Sequence, residues 1–163
     1  MPATELRSIE SLQPAYPTFI NGTTRNVDIV WLNFSGQPIV YKTLQPRRPF
    51  RVNTFVTHPW LFVDADSRDR LLGRGQLIYM PEAPNSEPIK RHTVLITIPV
   101  YPLLVRSLQV LRDCLKPEII NMCMQSEKLP EAIQGLRLPK TLQVKLVKFI
   151  RSSQEFRITN AEQ

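Results

Sequence analysis

The apolar positions change their period once along the chain. From about Thr18 to Ile98 they come in short runs separated by turn residues, the pattern of strands in an antiparallel sandwich or barrel. Val27, Ile29 and Trp31 share one face of such a run, and Val30 and Leu32 keep the other face apolar, which predicts a central strand. Ser35-Gly36-Gln37-Pro38 supplies a turn into a strand over 39–44, since Gly and Pro suit turn geometry. Further strands are predicted over 50–55 and 60–63, with Pro59 at a strand start or edge because proline cannot donate to the ladder. Two more are predicted over 76–79, after the Gly73-Arg74-Gly75 turn, and over 92–98. Residues 81–88, holding three of the chain's 15 prolines, read as a surface loop.

Beyond Pro99, Leu104, Leu108, Leu111 and Leu115 fall three or four residues apart, the spacing of an amphipathic helix. Lys116-Pro117-Glu118 ends that helix and begins the next, because proline drives its predecessor out of helical geometry yet suits a first turn. Leu142, Leu146 and Ile150 repeat every four residues after Pro139 and predict a third helix. The expected architecture is therefore mainly β: a seven- to eight-stranded antiparallel β-sandwich over 6–98, a small three-helix domain over 99–151, and a flexible tail over 152–163.

Composition narrows the function classes. The 163 residues are 42% hydrophobic and 21% charged, ordinary globular usage. The most apolar run, Thr93 to Val105, is broken by Pro99 and Pro102 and falls short of the about 20 residues that a membrane span requires. Met1-Pro2-Ala3-Thr4-Glu5 lacks a signal peptide's apolar core, and Cys114 and Cys123 suit reduced thiols, so the expected location is cytoplasmic and nuclear. The sequons at Asn21 and Asn33 are then chance matches. A net charge of +7 raises the question of nucleic acid, but the cations are scattered, with Arg47-Arg48 and Lys90-Arg91 the adjacent pairs, and solubility accounts for them.

Catalytic signatures are scarce: there is no nucleophile elbow, phosphate-cradling glycine loop, paired-Cys metal spacing or zincin helix. His58 and His92 have no Cys or carboxylate at ligand spacing, so no metal is expected. Asp64, Asp66 and Asp69 superficially match a calcium loop but lack the sharp-turn glycine, which favours a solvated turn. No cofactor and no enzymatic activity are expected. What stands out is a crowd of aromatics and hydroxyls around one histidine: Trp31, Tyr41, Thr54, Phe55, His58 and Trp60. By type alone these suit a core or sheet face equally well.

Two segments resolve that ambiguity. Trp31-Leu32-Asn33-Phe34-Ser35-Gly36-Gln37-Pro38 with Tyr41, followed by Thr54-Phe55-x-x-His58-Pro59-Trp60-Leu61-Phe62, resembles the β domain of von Hippel–Lindau proteins. Ile96-Thr97-Ile98-Pro99-Val100-Tyr101 with Ser107-Leu108-Gln109-Val110 resembles the start of that family's helical domain. The resemblance runs from about Leu6 to Glu118. It implies a non-enzymatic substrate receptor of a ubiquitin ligase that binds 4-hydroxyproline in a peptide like the hypoxia-inducible factor α degron. Trp31 and Trp60 would line a cavity for the pyrrolidine ring. Tyr41 would bond the peptide backbone, Thr54 and His58 would bond the 4-hydroxyl, and Val52, Asn53 and Phe55 would complete the site. A site built to bond a substrate hydroxyl can reject the analogue lacking it by about 10⁴–10⁵-fold.

The sequence also departs from the family pattern, with Thr54 for the usual serine, Phe55 for tyrosine, Asn53 for histidine and Lys42 for proline. The implied partners are elongin C, elongin B, a cullin and a RING protein. Elongin C would dock on Leu103, Ser107, Leu108 and Leu111, where Ser107 replaces the usual cysteine. Leu136-Arg137-Leu138-Pro139-Lys140-x-Leu142 resembles the end of cullin-binding boxes through Leu138 and Pro139. Two alternatives remain open: a relative that binds the hydroxyproline peptide but has lost ligase assembly and shields its client, and a scaffold or RNA-contacting domain with an inactive pocket.

Overall fold

The computed structural model describes residues 6–84, 90–126, 128–154 and 159–160. The expected 81–88 loop lies partly outside them. The chain divides into two compact units, the first ending at Pro99 and the second beginning at Val100, with Thr159 and Asn160 returning to the first.

In the first unit, β1 (Pro14–Ala15), β2 (Pro17–Asn21), β3 (Val27–Leu32), β4 (Pro38–Leu44), β5 (Pro49–Arg51), β6 (Thr54–Phe55), β7 (Trp60–Asp64), β8 (Arg70–Gly73) and β9 (His92–Thr97) are joined by a late strand, β10 (Thr159–Asn160). Eight of them form one nearly closed sheet in the order β10-β4-β3-β7-β8-β9-β2-β5, while β1 pairs only with β6. The predicted central strand is β3, flanked by β4 and β7 and buried along almost its whole length.

The sheet is mixed rather than an antiparallel sandwich. β2 runs parallel to β9, with Phe19 beside Val94, and β10 runs parallel to β4. Alternation of apolar and polar residues reports which face is buried and carries no information on strand direction, so periodicity could not separate the two arrangements. The predicted strand over 50–55 is two strands in different sheets, because the chain turns at Val52-Asn53 between β5 and β6. Residues 76–79 contribute only isolated bridges, Gly73 with Gln76 and Trp60 with Tyr79, and the regular strand is β8 just before the turn.

Phe19 is the hub of the core. Its ring meets Trp60, Phe62 and Tyr79 at centroid separations of 5.4, 5.1 and 5.8 Å, and Val27, Ile29, Leu71, Val94 and Ile96 pack around them. Each such fully buried side chain contributes roughly 1.5–3 kcal/mol of apolar transfer. Asp64 shows what the carboxylate-rich turn does. Its Oδ1 accepts from the backbone N–H groups of Asp66 and Ser67, and its Oδ2 pairs with Arg25 at 2.8 Å, so it closes a turn and anchors an arginine.

Among its described residues the second unit contains four helices rather than three: α1 (Leu103–Asp113), α2 (Pro117–Gln125), α3 (Glu131–Gln134) and α4 (Lys140–Gln154). The addition is α3, a single turn too short to show a helical period. Ile133 on α3 is nevertheless fully buried with Leu108, Cys123, Leu146, Val147 and Ile150. The α3–α4 connection is held by Gln143, whose Nε2 lies within 3.3 Å of the carbonyls of Gln134, Leu136 and Leu138. Helix α4 continues past the expected tail start at residue 152. Among the described residues no helix is long and apolar enough to cross a membrane.

Candidate functional site

Trp31 and Trp60, paired across β3 and β7, continue the core face of Ile29 and Phe62 to the end of the two strands. Beside them Tyr41 projects from β4, and the β6–β7 segment supplies Thr54, Phe55 and His58. The result is a cavity of about 150 Å³ lined by Trp31, Tyr41, Asn53, Thr54, Phe55, His58 and Trp60. Small-molecule sites typically measure about 300–1,000 Å³, so this one suits a single small ring rather than a whole cofactor.

Both indole N–H groups are satisfied within the protein. Trp60 Nε1 donates to Thr54 Oγ1 at 3.1 Å, and Trp31 Nε1 donates to Ser8 Oγ at 2.8 Å. The tryptophans therefore offer the cavity apolar surface, and its buried polarity rests with Thr54 and His58, which are 4% and 7% exposed. Thr54 Oγ1 already accepts from Trp60, which leaves its own proton to donate. Tyr41 stands at the mouth, 55% exposed, with its ring 5.3 Å from that of Trp60.

The rings of Phe55, Trp31 and Phe34 surround His58 at 5.1, 5.4 and 5.5 Å. Burial among them pushes the imidazole below its ordinary pKa, opposed in part by a hydrogen bond to the Glu10 backbone carbonyl. Desolvation penalises the cation, so neutral His58 with one acceptor nitrogen is the favoured form.

Of the residues picked out from the sequence, all but Val52 line this cavity. Val52 is buried in the core behind it, and its carbonyl accepts from Arg91 Nη1 at 3.0 Å. Arg91 Nη2 also reaches Asn53 Oδ1 at 2.6 Å, placing a cation at the rim. Sequence reasoning missed Ser8 and Ser11. Both lie on a segment without apolar periodicity, and the one signal for them was that the family resemblance reaches back to Leu6.

The other sequence-derived residues lie in the second unit. On α1, Leu103 is 83% exposed and Ser107 is exposed, with its Oγ donating back to the Leu103 carbonyl at 2.9 Å. Leu108 is buried in the unit's own core, and Leu111 packs partly against it. Leu138 is half-buried and Pro139 exposed at the start of α4.

The model of the VHL beta domain family matches residues 6–87. The chain belongs to the VHL family. It is 31% identical over 144 residues to Protein Vhl of Drosophila melanogaster, an alignment covering 83% of this chain and 77% of that protein. Membership of the VHL family supports a substrate-recognition role in place of catalysis, and a general association with elongin–cullin ligase components. The aromatic cavity lies within the matched VHL β domain.

Proposed function

We propose that this VHL-family protein is the substrate-recognition subunit of an elongin BC–cullin–RING ubiquitin ligase. In this reading it binds 4-hydroxyproline in an extended peptide like the hypoxia-inducible factor α degron, in the cytoplasm and nucleus. The observation that carries the reading is the pairing of Thr54 and His58 inside an aromatic box of about 150 Å³. A pyrrolidine ring fills the space between Trp31 and Trp60. Its 4-hydroxyl accepts from Thr54, whose oxygen is already engaged by Trp60, and donates to neutral His58. Plain proline leaves the Thr54 hydroxyl proton and the His58 acceptor nitrogen without a partner, at roughly 1–3 kcal/mol for each.

Elongin C docks on the exposed part of α1, Leu103 and Ser107, with Leu111 at its margin. The Ser107 hydroxyl is already bonded to the Leu103 carbonyl, so burying it there avoids most of the penalty of an unpaired group. Leu138 and Pro139 are the proposed cullin contact. Calorimetry with one degron-like peptide in hydroxyproline and proline forms, at fixed salt, tests the reading. Binding of the hydroxylated form alone, abolished by His58→Ala, supports it. Equal binding of the two forms, or none by folded protein, overturns it.

A further inference from the structure

The first described stretch of the chain crosses behind the cavity as a strap. Ser8 N–H donates to the Asn33 carbonyl at 3.2 Å, and Ser8 Oγ donates to the Leu32 carbonyl at 2.6 Å while accepting from Trp31. At Glu10 the backbone N–H donates to Thr57 Oγ1 at 3.2 Å, and that hydroxyl returns its proton to the Glu10 carbonyl at 2.6 Å. Val56 N–H reaches the Gln13 carbonyl at 3.0 Å, and β1 then pairs with β6, Ala15 beside Thr54. Every polar residue of the cavity's hydroxyl-reading end thus has a strap group behind it. Ser8 is buried at 2% exposure, Ser11 is an exposed residue whose Oγ turns to the imidazole, and Ile9 and Leu12 lie outward, 73% and 77% exposed. A segment selected to bury apolar surface would show the reverse.

Ser11 Oγ lies 3.3 Å from His58 Nε2. The adjacent Glu10 carbonyl also bonds the imidazole, and a carbonyl only accepts, so the ring nitrogen it meets carries the proton. Glu10 and Ser11 are adjacent in the chain, so both strap contacts to the ring come from one short stretch.

We propose that the strap Ser8–Ala15 is a positioning element of the pocket. Ser8 fixes the Trp31 wall, and Ser11 with the Glu10 carbonyl holds the His58 proton on Nε2, so that Nδ1 is the acceptor offered to a ligand hydroxyl. This deepens the hydroxyproline reading and rests on it. The physics is that of other hydrogen-bonded histidines, in which the partner of one nitrogen decides what the other can do.

The test uses the full chain. Nitrogen-15 NMR of His58 without peptide is expected to show a protonated Nε2 and a bare Nδ1, and Ser11→Ala to give a mixture of tautomers. In parallel, the affinity ratio between hydroxyproline and proline peptides is expected to fall about tenfold in Ser11→Ala and to recover in Ser11→Thr, which keeps the hydroxyl. Ser8→Ala is expected to move the Trp31 indole N–H resonance. General loss of structure lowers the affinity for both peptides alike and leaves the ratio unchanged, so a fallen ratio is specific to positioning. A proton on Nδ1 in the unmutated protein, or an unchanged ratio in Ser11→Ala, overturns the inference. Failure of the unmutated protein to distinguish the two peptides overturns the hydroxyproline reading instead, while the tautomer measured without peptide still decides the role of the strap.

Discussion

Trp60 Nε1 donates to Thr54 Oγ1 across 3.1 Å, with both side chains almost wholly buried. One hydrogen bond thereby orients the wall of the cavity and its hydroxyl together. Thr54→Val keeps the shape and removes the acceptor, leaving the indole N–H without its partner. The expected cost is about 1–3 kcal/mol of stability in denaturant unfolding, together with loss of preference for a hydroxylated peptide in calorimetry. Thr54→Ser keeps the hydroxyl and is expected to keep that preference.

His58 sets the pH dependence. Its pKa lies below the ordinary 6.5 because burial disfavours the cation. In the proposed mode the neutral ring accepts the ligand hydroxyl, so affinity is expected to stay level from alkaline pH down through 6.5 and to fall only as pH drops through the lowered value of the folded protein. A titration by calorimetry in buffers matched for ionic strength checks this, and affinity that rises on acidification contradicts it. The stability sign is the same. The unfolded chain takes up the proton first, so this group's contribution declines from about pH 6.5 down to the folded value.

How much of this was legible in the sequence differs by element. Val27 to Leu32 announced a central strand because both of its faces are apolar, and β3 is central. Strand direction was invisible, because Phe19 and Ile96 alternate with their neighbours identically whether β2 and β9 run together or opposed. The turn at Val52-Asn53 was missed because β-rich residues surround it. Of the cavity, the aromatic and hydroxyl residues were readable through family resemblance, since their types alone suit a core equally. The contributions of Ser8 and Ser11 depend on tertiary contacts to Trp31 and His58, more than 20 residues away in sequence, and no local pattern encodes such contacts.

Gly73 is held by close approach. A Cβ built there would lie 2.1 Å from Phe62 Cε2, inside the core of the first unit. Gly73→Ala must displace that ring and is expected to cost about 1–3 kcal/mol or more, as overpacking does, read as a lower midpoint in thermal unfolding. An unchanged midpoint would show that the strand can shift to admit a methyl group.

On α1, exposure separates two kinds of leucine. Leu108→Ala is expected to destabilise the helical unit by about 2–5 kcal/mol, because it opens a cavity in a packed core. Leu103→Ala removes an 83% exposed side chain and is expected to leave stability within about 0.5 kcal/mol while weakening capture of elongin C in co-purification. Retained capture by Leu103→Ala would move the docking surface off this face.

The parallel pairing of β2 with β9 has a consequence for biosynthesis. Phe19 emerges from the ribosome early, yet Val94, its neighbour in the sheet, is made near the end of the unit. Until Thr97 has been translated, β2 has β5 on one side and an unpaired edge on the other, with its apolar hub lacking a wall. Such long-range closure is slow and leaves strand edges open to aggregation while it waits. The nascent β unit therefore carries an open β2 edge for most of its synthesis, until β9 is available to close it.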